Sequence, residues 1–217
     1  METRIVYMGD SITFGQHCDP TLRWTSLVDG RLSERLARGG TDLVTFNRGV
    51  SGGTTRQGLE RYPADVQLLE PHVLIIQFGM NDCNCWVSDR GLPRVSESAF
   101  RANVTEMVIR GRHFGAREVI IATNPRSLRT SSMVSGEIYE DSNARYSQVL
   151  MEVAADCGTE LCDIRAGFEG LSHEQMAEMV LPDLLHLSVA GNAMYADLIS
   201  PYVLEAVKAV TREVANT

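Results

Sequence analysis

The chain lacks most of what would tie it to a polyanion, a membrane or a metal. Acidic residues outnumber basic ones, 28 against 20, for a formal net charge of -8. Nucleic acid or an anionic membrane surface asks for the opposite, clustered Lys and Arg facing phosphates. No apolar stretch approaches the roughly 20 residues of a membrane span, and Met1-Glu2-Thr3-Arg4 runs straight into a strand-like segment, leaving no room for a secretory hydrophobic region. The default address is therefore cytoplasmic. The five cysteines are odd in number and scattered, which reads as reduced packing thiols and not as a disulfide framework. Cys83-Asn84-Cys85 is the one close pair, and without a second Cys or His pair at ligand spacing it makes no zinc set. No composition break or low-complexity linker divides the 217 residues, and 44% hydrophobic content suffices for one sizeable core. The expectation is one domain over 1–217.

What is present is an alternation. Ile5 to Met8, Leu43 to Phe46, Val73 to Phe78 and Val119 to Ala122 are short apolar runs, with Glu160 to Ile164 as a weaker fifth. Runs that are apolar throughout suit strands buried on both faces of a parallel sheet. Helical periodicity marks Trp24 to Leu36, Ala99 to Phe114 and Tyr139 to Ala155, and Ser172 with Gln175 makes a capping box for a short helix. A last apolar stripe runs from Tyr195 to Val210, open to packing on the sheet or on a partner subunit of a homo-oligomer. Pro201 interrupts it and predicts a kink or restart. The pattern is that of an α/β fold, a three-layer α/β/α sandwich around a parallel sheet of about five strands. Its ligands belong beyond the carboxyl ends of the strands. The polar, glycine-rich clusters Gly9-Asp10-Ser11, Asn47 to Gly53, Gly79 to Asp82 and Asn124-Pro125 all follow strands, and so share that edge.

Two of these features suggest chemistry. Ser11 lies on the turn after the first strand, and Asp183 and His186 stand three residues apart far downstream. A serine hydroxyl becomes a nucleophile when an imidazole takes its proton, and a carboxylate fixes that imidazole's tautomer. Whether Asp183 reaches His186 directly depends on the local backbone. The other histidines fit less well. His72 precedes the third strand, at the wrong end of the sheet; His113 sits late in a helix; His173 lies in the capping box. His17 follows the nucleophile turn and could line a pocket, but it lacks a spaced carboxylate. All four read as structural or solvated.

Four blocks in order, Gly9-Asp10-Ser11-Ile12, Gly49-Val50-Ser51-Gly52-Gly53-Thr54-Thr55, Gly79-Met80-Asn81-Asp82 and Asp183-Leu184-Leu185-His186-Leu187-Ser188-Val189-Ala190-Gly191, make the chain similar to the SGNH hydrolase superfamily, the GDSL-type esterases and lipases. The resemblance spans nearly the whole length. It implies a flavodoxin-like sheet, with Ser11 as nucleophile, His186 as general base and Asp183 orienting it. It also implies an oxyanion hole from the N–H groups of Ser11 and Gly52 and the side-chain amide of Asn81, with no cofactor or metal. Two departures stand out. Gly53 replaces a usual Asp or Asn, which predicts a looser loop, and Ile12 replaces Leu, a conservative change. A rival reading takes Gly49-Val50-Ser51-Gly52-Gly53 as a nucleophile elbow with Ser51 reacting. Only two strand candidates precede it, no HGGG-like segment lies upstream, and two blocks would go unused.

The expected activity is two-step acyl transfer on a small-molecule ester with a short acyl group, acetyl first, on a carbohydrate or a small aryl or alkyl alcohol. A thioesterase or lysophospholipase of the same fold is the alternative enzyme, and a catalytically silent binding module the alternative class. Substrate contacts fall to residues 16–23, 83–94 and 126–136, with Trp86 and Arg126, and Arg129 beside it, as candidates. No long apolar lid sequence favours a water-insoluble lipid.

Overall fold

Successive side chains of a strand point to opposite faces of the sheet, and here both directions lead into apolar surroundings. The computed structural model describes residues 2–36 and 42–215. Its sheet comprises β1 (Glu2–Gly9), β2 (Asp42–Gly49), β3 (Val73–Gln77), β4 (Glu118–Ala122) and β5 (Glu160–Cys162). All pairs are parallel, in the order β2-β1-β3-β4-β5. Ile5, Tyr7, Val73, Ile75 and Ile120 enter one buried cluster, and Val6, Met8, Leu74, Ile76 and Ile121 the other. Two-sided burial is why these runs show no polar alternation.

A single helical turn, α1 (Ser11–Phe14), follows β1 directly. The first face of the sheet is covered by α2 (Trp24–Leu36), α6 (Ile164–Glu169), α7 (His173–Met179) and α8 (Val189–Ala215). The second is covered by α3 (Thr55–Asp65), α4 (Glu97–His113) and α5 (Tyr139–Cys157). The order is the flavodoxin-like one. From β1 the chain steps outward to β2 and then crosses back to β3, so the switch-point crevice lies beyond the carboxyl ends of β1 and β3, where such sheets bind ligands. No helix among the described residues is long and apolar enough to cross a membrane.

Three features differ from the sequence reading. The fifth strand stops at Cys162, because Asp163 caps α6 by accepting the Ala166 N–H, which makes Ile164 the helix's first residue. α8 runs through Pro201 without a break. Asp197, whose carbonyl loses its amide partner to the proline, and Pro201 itself are exposed, so water can serve that carbonyl. α3 has no strong apolar stripe. It rests on a capping box between Thr54 and Gln57 and on a buried face of Thr55, Gly58 and Tyr62.

Trp24 fixes the nucleophile turn to this scaffold. It is fully buried, stacked on Tyr195 at 4.5 Å and edge-on to Tyr7 at 5.2 Å. Its indole N–H donates to the Ile12 carbonyl at 2.9 Å, and its backbone N–H to Asn192 Oδ1 at 3.0 Å. Trp24→Ala is expected to cost about 3–5 kcal/mol, read as a lower denaturant midpoint at unchanged slope.

Candidate active site

β1 delivers Ser11 to the crevice because its last residues leave no space to do otherwise. A Cβ at Gly9 would lie 2.7 Å from the Gln77 carbonyl, and Asp10 caps α1 by accepting the Ile12 N–H at 2.9 Å. Ser11 is thus the first residue of a helical turn standing at the sheet edge.

His186 arrives from a tight turn near the other end of the chain. Leu184 takes a left-handed φ of 63°, and Asp183 Oδ1 accepts the N–H groups of Leu185 and His186, each at 3.0 Å. This folds the D-x-x-H segment so that Asp183 Oδ2 lies 2.5 Å from His186 Nδ1, while His186 Nε2 lies 3.0 Å from Ser11 Oγ. Arg129 Nε donates to the Asp183 carbonyl at 3.1 Å and braces the turn from outside. Burial pulls the Asp183 pKa upward, but the hydrogen bonds from His186 and Leu185 outweigh it and hold the carboxyl below its ordinary value. An ionised Asp183 fixes the proton on Nδ1 and leaves the Nε2 lone pair for the serine hydroxyl.

Gly52 and Asn81 follow the neighbouring strands β2 and β3 at the end of the sheet where Ser11 follows β1. The Val50 N–H donates to the Gly9 carbonyl at 3.1 Å, which sets the loop after β2 beside the serine turn. Gly52 takes φ 74°, and a Cβ there would meet nothing within 4 Å among the described residues, so backbone conformation and not crowding requires glycine. Asn81 Nδ2 donates to Asp10 Oδ2 at 3.4 Å, tying the amide to the residue before the serine. A looser loop is the expectation at Gly53, where the usual Asp or Asn side chain is missing. The Gly53 N–H closes the turn onto the Val50 carbonyl at 3.0 Å, and a Cβ would lie 2.9 Å from that same oxygen. Arg94 Nη1 donates to the Gly52 carbonyl at 3.0 Å while its guanidinium sits 4.0 Å from the Trp86 ring centroid. Sequence reasoning missed this brace.

Serine, imidazole and carboxylate stand in hydrogen-bonded line at the switch point, the arrangement that a serine nucleophile requires. A sequence model of the GDSL-like lipase/acylhydrolase family matches residues 7–194. The chain belongs to this family. Esterase TesA of Pseudomonas aeruginosa is 28% identical over 140 residues, 62% of this chain and 64% of that protein. The matched stretches span between 48% and 64% of the length of TesA and two other curated relatives. Among solved structures, a lipase/acylhydrolase from Enterococcus faecalis is similar with a TM-score of 0.72 at 25% identity, covering 94% of this chain and 96% of that one. Axe2, an acetylxylan esterase from Geobacillus stearothermophilus, has the same fold, with a TM-score of 0.71 at 21% identity over 91% of this chain and 92% of its own.

The remaining residues of this GDSL-family chain sort by position. Ser51 is exposed on the turn, and His186 Nε2 meets Ser11 instead. Trp86, half exposed, lines an open cleft of about 460 Å3 together with Asn84, Val87, Arg129, Val134 and Tyr139. The cleft adjoins the triad, since Arg129 holds Asp183 and Tyr139 Oη donates to the carbonyl of Met80, next to Asn81. Arg126 does not line it; Arg129 does. A cavity of about 470 Å3 at the opposite end of the sheet, against Glu118, Glu160 and α8, contains none of these groups. His72 Nδ1 accepts the Arg4 N–H at that far end, and His113 and His173 sit at helix termini, as read from sequence. The five cysteines are free thiols, four of them buried. His17 is the surprise, because it comes to rest against the ring of His186.

Two acids beneath the site hold protons unusually tightly. Burial raises Asp10 to about 7, with the charge of Asp82 adding to it. Burial likewise raises Asp82 from 3.8 to about 6 against the hydrogen bonds from Thr55, and its Oδ2 has no partner among the described residues. Between pH 3.8 and about 6 the folded chain keeps the Asp82 proton that the unfolded chain has lost, so this contribution to stability falls as pH rises through that window. Asp82→Asn removes the titration and keeps the Oδ1 acceptor. Relative to the variant, the wild-type urea midpoint should drop from pH 4 to pH 7; parallel curves would count against it.

Proposed function

We propose that this chain is a serine esterase acting on esters with short acyl groups, acetyl foremost, of carbohydrate or small aryl or alkyl alcohols. The observation that carries this reading is the bridge of His186, 3.0 Å from Ser11 Oγ on one side and 2.5 Å from Asp183 Oδ2 on the other. Ser11 loses its proton to His186 Nε2 as Oγ attacks the ester carbonyl, and Asp183 holds the imidazolium that forms. The oxyanion is met by the N–H groups of Ser11 and Gly52 and by the Asn81 amide. The tetrahedral intermediate then expels the alcohol, which leaves with the His186 proton, and water repeats the sequence on the acyl-enzyme. Each step uses groups of the chain and water alone.

Asn81 has one amide proton on Asp10 and one left for the oxyanion. Asn81→Ala should therefore lower kcat by about 10²- to 10³-fold with little change in KM, measured with p-nitrophenyl acetate. A loss confined to KM would remove Asn81 from the oxyanion hole.

The acetyl preference draws support from the likeness to Axe2 and from the lack of a long apolar lid. A second reading, a thioesterase or lysophospholipase for longer chains, is favoured by one feature. The cleft beside the triad carries exposed apolar groups, Val87 at 80% and Val134 at 52% exposure. A series of p-nitrophenyl esters from two to twelve carbons decides between them. We expect kcat/KM to be highest at two to four carbons and to gain nothing beyond, since a methylene left in water forgoes the roughly 0.8 kcal/mol that burial would supply. A maximum at eight or more would favour the second reading, and inertness across the series would favour a binding module.

A further inference from the structure

The turn after the nucleophile carries a second imidazole to the base. Gly15 ends α1 in the left-handed region, the Gln16 N–H returns to the Ser11 carbonyl at 3.0 Å, and His17 itself takes a left-handed φ of 64°. The His17 ring meets the His186 ring edge-on, with centroids 5.6 Å apart. One donor atom from each of His17, Asp183 and His186 lies within 4.8 Å of the others. Gln16 Nε2 sits 2.9 Å from His17 Nε2. An amide nitrogen only donates, so it faces the Nε2 lone pair of a neutral His17 ring, a contact that a metal on this nitrogen would replace. His17 is exposed and its two neighbours partly so, which lets an ion reach all three from solvent.

We propose that His17, Asp183 and His186 form a site for a divalent transition metal, Zn²⁺ foremost, whose occupancy switches off the triad's base. Two imidazole nitrogens and a carboxylate oxygen suit Zn²⁺ or Cu²⁺ far better than Mg²⁺ or Ca²⁺, which prefer all-oxygen shells. Tetrahedral ligands at Zn–N and Zn–O lengths of about 2.1 Å stand about 3.4 Å apart, and the exposed His17 ring is free to close the difference. Either coordination mode of His186 removes its function. A metal on Nε2 takes the lone pair that accepts the Ser11 proton. A metal on Nδ1 displaces the proton shared with Asp183, and a neutral imidazole then carries its hydrogen on Nε2. The fourth position is left to water or to Ser11 Oγ.

His17→Gln is the test, since this exposed side chain lies outside the reacting groups. By calorimetry with Zn²⁺ alone, wild type should bind one equivalent, and both His17→Gln and His186→Gln should bind about tenfold or more weakly. Zn²⁺ should inhibit p-nitrophenyl acetate hydrolysis by wild type, reversibly with EDTA. His17→Gln should need about tenfold more metal for the same effect, with its metal-free rate unchanged. Equal affinity in all three proteins, or tight Zn²⁺ binding without inhibition of an active enzyme, would overturn the proposal. If the chain turns over no ester, the calorimetric comparison still decides, so its failure is separate from that of the esterase reading.

Discussion

Ser11→Ala is expected to lower kcat/KM for p-nitrophenyl acetate by about 10⁴- to 10⁶-fold, the range seen when a triad nucleophile is removed, while Ser51→Ala leaves it within about twofold. The contrast follows from where each hydroxyl points. Ser11 Oγ is 3.0 Å from His186 Nε2 in a buried residue of 5% exposure. Ser51 stands exposed on a turn whose closure, the Gly53 N–H on the Val50 carbonyl, uses no side chain. The fold should survive the Ser11 change. α1 is capped by Asp10 and tethered by Trp24, so alanine removes one hydrogen bond, worth about 1 kcal/mol. An inactive but normally folded Ser11→Ala protein beside a fully active Ser51→Ala protein is the outcome expected. Retained activity in the first, or its loss in the second, would reopen the elbow reading.

How much of this could be read beforehand depends on whether the signal is local. The sheet was legible because Ile5 to Met8 and Val73 to Phe78 are apolar on both faces and each is followed by a glycine-rich turn. α2 was legible because Val28 and Leu32 repeat at helical spacing. α3 was not, since its support is a cap and the small buried face of Thr55 and Gly58, and periodicity of apolar residues cannot report either. Asp183 and His186 were visible as letters, yet their contact rests on the left-handed Leu184, which no propensity rule assigns to leucine. Arg94 reaches Gly52 across 42 residues and sits over Trp86, a partnership with no trace in either loop alone. His17 was discounted because it lacks the carboxylate three residues away that His186 has. Its neighbour in space is Asp183, supplied from the far end of the chain.

Asp183→Asn should cost nearly as much as loss of the nucleophile, about 10⁴-fold in kcat by analogy with the same change in a protease triad, and the turn explains why so small a change does so much. Asp183 Oδ1 is committed to the N–H groups of Leu185 and His186, so an asparagine at this position must keep its carbonyl oxygen there to preserve the turn. Its NH₂ group then replaces Oδ2 and faces His186 Nδ1. An amide nitrogen donates, so Nδ1 must become the acceptor and the imidazole proton must move to Nε2, against Ser11 Oγ. The base is left in place, correctly oriented and in the wrong tautomer. Asp183→Ala should be as inactive but also less stable by about 2 kcal/mol, because it abandons the two turn hydrogen bonds. A denaturation midpoint lower for Ala than for Asn, with both variants inactive from pH 6 to 9, is the expected result. An Asn variant retaining a tenth of wild-type kcat would show that tautomer control is not what Asp183 contributes.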